Sequence, residues 1–134
     1  MRTNRGRRTI LILSALVFFA IALGSLVIPH TVAAQLGYTL NNVDALNEFR
    51  AVYVGVWVAT GILLITAARR IDLPLIGDLG ALLILGQTFG RTISIALDGL
   101  PGEKIWPIFA LELLGGVAIL VVRPSNKVSG QKVE

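Results

Sequence analysis

Arg91 and Glu112 are full charges set inside long apolar runs, and Arg50 stands at the head of a third run. A charge in hydrocarbon is expensive and is usually kept where it meets a partner or a wet cavity. The chemistry open to these residues is narrow. An arginine and a glutamate on neighbouring helices can form a buried ion pair. A single carboxylate can relay a proton, and two carboxylates, here Glu112 and Asp98, could share acid–base work. A proton path needs a chain of such groups, and none lies deeper than Glu112. No nucleophile–base pair, metal set or phosphate-binding loop accompanies the two carboxylates, so the expectation is a protein that is not an enzyme.

Spacing gathers these residues. Gln87, Arg91, Ser94 and Asp98 recur every three or four positions and form a narrow polar stripe on one helix. Arg91 lies six residues before the end of its apolar run and Glu112 seven residues after the start of the next. At 1.5 Å rise per residue, both sit roughly 10 Å below the same end. A short hairpin joins the two runs and makes them antiparallel neighbours, so Arg91 and Glu112 are expected to pair. Arg50, with Asn47, Glu48 and Tyr53 near it, should sit above or around that pair. The candidate polar cluster or ligand site is therefore Asn47, Glu48, Arg50, Tyr53, Gln87, Arg91, Asp98 and Glu112.

Four elements must position it. The 134-residue chain is 54% hydrophobic, too apolar for a soluble domain of this size. Apolar runs at 9–28, 51–68, 73–97 and 105–122 each approach the ~20 residues that a membrane helix needs. The second helix is expected to begin before its apolar run, at 43, with Asn42 as its cap and Asp44 in its first turn. Strands are not expected, because the runs lack barrel alternation. The expected fold is all-α: one domain, a four-transmembrane-helix bundle over 9–28, 43–68, 73–97 and 105–122, with a disordered polar tail at 123–134.

Charge sets the expected orientation. Arg2, Arg5, Arg7, Arg8, Arg69, Arg70, Arg123, Lys127 and Lys132 flank one side and only Lys104 the other, nine against one. Basic residues gather on the cytoplasmic side, which puts both termini there and the protein in the plasma membrane as a multi-pass protein. The +4 net charge is thus topological, and no nucleic-acid partner is expected. The Arg-rich start resembles a signal peptide, but its apolar stretch is longer than a signal core, so a retained anchor is expected. Zero cysteines exclude thiol chemistry, and one histidine, His30, leaves no metal cluster. No cofactor is expected. His30 reads as a solvated interfacial side chain.

Between the first two helices, Val32, Leu36, Leu40, Val43 and Leu46 fall on one stripe, which suits a short amphipathic outer segment broken at Gly37 and Asn41-Asn42. Asp72 and Pro74 read as the cap and first turn of the third helix, with Asp78 interacting there or with Arg69 and Arg70. Gly86 and Gly90 make a small-xxx-small pair that would admit another helix.

Asn47-Glu48-Phe49-Arg50-Ala51-Val52-Tyr53-Val54-Gly55, Gly90-Arg91, Asp98-Gly99 with Pro101, and Glu112 resemble the recurring positions of a family of small bacterial four-helix membrane proteins catalogued as a domain of unknown function. The resemblance runs from the first helix to about Val122. Val56 departs from a second glycine common there. The resemblance implies the fold and the choice of site, and it carries no activity. The expected function is a non-enzymatic membrane protein whose polar pocket, open to the outer leaflet, binds membrane lipid, a small amphipathic ligand or a partner membrane protein. The alternatives are an accessory or scaffold subunit of a membrane complex and a proton-coupled small-molecule exporter. The exporter reading is weakened because the first helix carries no acid.

Overall fold

The computed structural model describes residues 2–124, and side chains from residue 4 onward. The polar tail expected beyond Pro124, with Lys127 and Lys132, lies outside the described residues. All regular structure among the described residues is helical: α1 (Arg2–Val27), α2 (Pro29–Gln35), α3 (Val43–Arg69), α4 (Pro74–Asp98) and α5 (Ile105–Val121). Three of these, α1, α3 and α4, are long and apolar enough to cross a membrane, and α5 is a shorter apolar helix.

Packing follows chain order. α1 lies along α3, α4 along α5, and α3 joins α4, while α1 and α5 touch over a smaller area. The shared core is small-residue rich: Leu11, Ala15, Ala22, Leu64, Ala67, Ala81 and Ile119 are nearly or fully buried. Large apolar side chains such as Leu13, Leu82, Phe89, Leu114 and Val121 instead face outward. A water-soluble domain would bury that surface, so the pattern fits a lipid-facing exterior.

Close approach depends on glycines other than the Gly86–Gly90 pair. A Cβ at Gly116 would stand 2.6 Å from Leu85 Cγ, and one at Gly80 would stand 2.6 Å from a Leu64 methyl. Gly86 and Gly90 have nothing within 4 Å of a built Cβ, and both are exposed. Among the described residues they admit no other helix and lie open instead. Gly116→Ala should therefore lower unfolding stability by about 1–3 kcal/mol through overpacking. Gly86→Ala should raise it by up to about 1 kcal/mol through helix propensity. Parallel unfolding titrations of the two variants check this, and equal effects would contradict the packing described.

Several local expectations change. α1 starts at Arg2 rather than Thr9, because its arginines find acceptors: Arg8 Nε donates to the Ala68 carbonyl at 3.0 Å, near the C-terminal end of α3. The outer segment breaks at Gly37, where a break was expected. α2 stops at Gln35, Gly37 turns with φ +84°, and the Tyr38 N–H reaches back to the Ala33 carbonyl at 2.9 Å, a helix-ending turn that glycine permits. Asn42 does cap α3, accepting from the Ala45 N–H at 2.8 Å. Asp72 caps nothing, since Leu73 holds the cap position of α4 and Asp72 meets Arg70 loosely at 3.4 Å.

α3 contains a feature with no sequence signal, a π-helical stretch at Ala51–Val56 between α-helical halves. Such wide turns occur mostly as single insertions and often beside functional sites. This one lies against the cavity described next.

Candidate functional site

Arg91 and Glu112 meet. Arg91 Nε donates to Glu112 Oε2 at 2.8 Å and Nη2 donates to Oε1 at 3.0 Å, a two-pronged contact between α4 and α5. The Glu112 side chain is 9% exposed and that of Arg91 26%. The bidentate geometry uses both carboxylate oxygens, so the acid is neutralised where it is buried.

The pair stands in the wall between two cavities. The larger, about 640 Å³, lies between α3, α4 and the hairpin end of α5, and Arg91 lines it. The smaller, about 180 Å³, lies between α1 and α5, and Glu112 lines it. Gln87 and Trp57 border both. Gly86 and Gly90 form part of the larger cavity's surface, where missing side chains leave room.

An aromatic column runs beside the larger cavity. Phe49 and Tyr53 stack at 4.5 Å between ring centroids, Tyr53 meets Trp57 edge-on at 4.7 Å, and Trp57 meets Phe18 at 5.7 Å. These α3 residues are spaced by four, and the π stretch winds more residues per turn than an α-helix, which helps them align. Tyr38, delivered by the turn after α2, closes the column: the Tyr53 hydroxyl donates to the Tyr38 hydroxyl at 3.3 Å. From the hairpin side, Trp106 and Phe109 add two more rings.

Of the eight expected site residues, the structure brings together Tyr53, Gln87, Arg91 and Glu112. It leaves out Asn47, Glu48, Arg50 and Asp98. Phe49 is the buried residue of its turn, and at about 100° per residue its neighbours Asn47, Glu48 and Arg50 swing outward. Arg50 is therefore an exposed cation and does not stand over the pair. Asp98, at the end of α4, is exposed and accepts from the Ser94 hydroxyl at 3.2 Å.

A second charge cluster lies at the opposite end, where Asp78 does not meet Arg69 or Arg70. Its carboxylate accepts from Arg7 at 2.9 Å and from Arg123 at 2.7 Å, tying α1, α4 and the end of α5 together. Arg7 is 1% exposed and also donates to the Pro74 carbonyl at 2.8 Å. A Cβ at Gly77 would run into its guanidinium, so that glycine makes the space.

Sequence reasoning missed Tyr38, Trp57, Trp106 and Phe109. Their gathering is tertiary. Among the described residues no three His, Asp or Glu side chains converge as a metal site. No curated protein and no solved structure matches the chain. A family model described as a domain of unknown function, DUF4345, matches residues 7–123, and the chain belongs to that family.

Proposed function

We propose that the protein is a non-enzymatic multi-pass protein of the bacterial plasma membrane, a four-helix bundle with both termini cytoplasmic. Its larger cavity opens toward the outer leaflet and holds a small amphipathic molecule. The observation that carries this reading is Arg91. Its guanidinium is held by Glu112, and its side chain remains part-exposed on the wall of a 640 Å³ cavity whose other walls are mostly apolar and aromatic. Apolar walls with a few fixed polar groups, in a volume of about 300–1,000 Å³, are the common form of a small-molecule site.

Topology rests on supporting observations. Arg5, Arg7, Arg8, Arg69, Arg70 and Arg123 cluster at one end, and Lys104 is at the other. That asymmetry supports a topology with the cavity end outside. At 17 residues α5 is at the lower limit of about 17–25 for a span, so α5 is taken as the fourth crossing. The resemblance of the Asn47–Gly55 segment is the support for a bacterial setting.

Native mass spectrometry of the full chain, gently extracted in detergent, tests the binding. The wild type is expected to carry a lipid-sized or smaller adduct that the double variant Arg91→Met/Glu112→Met loses while remaining folded. A bare wild type, or an adduct retained by the double variant, would defeat the reading. An added protein subunit in place of a small adduct would favour the accessory-subunit alternative.

A further inference from the structure

Resting on that cavity reading, we infer that the occupant is an uncharged amphiphile whose carbonyl oxygen accepts hydrogen bonds from Arg91, not a lipid anion or a cation. A guanidinium has five N–H groups. Two go to Glu112, and among the described residues no other acceptor takes the remaining three. Arg91 lines only the larger cavity and is part-exposed there. The cavity thus offers unspent donors.

It offers them without net charge. Glu112 cancels Arg91 at a single contact and is itself among the residues lining the smaller cavity. An anion entering beside Arg91 would shed its water and then face the Glu112 carboxylate across a short, poorly screened distance. A cation fares no better. The aromatic rings would attract it, but Arg91 stands beside them, and among the described residues neither Asp98 nor any other acid lines the larger cavity. The nearby hydroxyls are partly committed, Tyr53 to Tyr38 and Ser94 to Asp98. An uncharged carbonyl brings lone pairs without a charge to desolvate. Its apolar remainder fits the walls made by Val56, Leu83, Trp106 and Phe109.

The chain contains two tryptophans, Trp57 and Trp106, and both line this cavity, so intrinsic fluorescence reports occupancy. The full chain in phosphatidylcholine nanodiscs is titrated with three probes of equal chain length: decanamide, decanoate and decyltrimethylammonium. Decanamide should give a saturable change with an affinity about tenfold or more above that of decanoate, and decyltrimethylammonium should give none. In Glu112→Gln the Arg91 charge is uncompensated, and the preference should reverse toward decanoate. Gly90→Leu, at a position where a Cβ meets nothing within 4 Å, should fill the cavity and weaken decanamide by about tenfold with no loss of melting temperature.

Decanoate binding the wild type as tightly as decanamide would overturn the neutral-head inference and leave the cavity reading standing. So would an unreversed preference in folded Glu112→Gln. No saturable response to any probe would overturn both. Decanamide binding that Gly90→Leu leaves untouched would place the binding elsewhere and overturn both as well.

Discussion

Arg91→Met should destabilise the protein by about 3–5 kcal/mol, the loss expected when one member of a buried ion pair is removed and the other is left buried without its partner. The abandoned group is Glu112, 8% exposed and turned toward an apolar cavity where water is a poor substitute partner. Glu112→Met should cost less, because Arg91 borders the larger cavity and its long side chain can follow water there. The double variant should recover most of the loss, since two apolar side chains of similar volume leave no charge unpaired. Unfolding by sodium dodecyl sulfate, followed by tryptophan fluorescence, gives the four stabilities of the cycle. A double variant no more stable than Arg91→Met would show that the pair is needed for packing itself. Recovery of stability with loss of the adduct would separate a site from a strut.

The second large effect belongs to the other end. Asp78→Ala should cost about 3–5 kcal/mol, because it strips the carboxylate from an arginine that is 1% exposed. Arg7 would keep only the Pro74 carbonyl, and its Nη1 is already buried without a partner among the described residues. Arg123→Ala should cost no more than about 1 kcal/mol, because that side chain is 45% exposed and its ion pair is partly solvated. The same unfolding assay, run on the two variants side by side, measures the contrast. Similar losses for both would mean that Arg7, not Asp78, is already compensated by other means.

These two clusters differ in how far sequence could reveal them. The Arg91–Glu112 contact follows from register: a six-residue hairpin loop leaves antiparallel neighbours little freedom, so residues equally deep on each side must be near one another. The Arg7–Asp78–Arg123 contact has no such signal. Arg7 sits among Arg2, Arg5 and Arg8 and looks like any topogenic arginine until the helix continues through it and turns it inward. The helix spans were legible to within a few residues from hydropathy, with the start of α3 read from its Asn42 cap instead, apart from the early start of α1. The π stretch was not, because its residues carry ordinary helical propensities and only the packing of α3 against its neighbours distinguishes the wide turn. Glycine reasoning misplaced its emphasis for a related cause. Spacing on one helix shows which small residues share a face, whereas the partner decides which face is pressed, and here that is Gly80 and Gly116 rather than Gly86 and Gly90.

The closed contact between Arg91 and Glu112 also makes the cavity electrically silent. A membrane potential does work only on charge that moves along it, at about 2.3 kcal/mol per unit charge per 100 mV. Two opposite charges held 2.8 Å apart present the field with a small dipole and no net charge. An uncharged molecule entering or leaving beside them adds none. If the proposed uncharged occupant is the true one, its occupancy is governed by its concentration in the leaflet, and an energised cell would fill and empty the site as a resting one does.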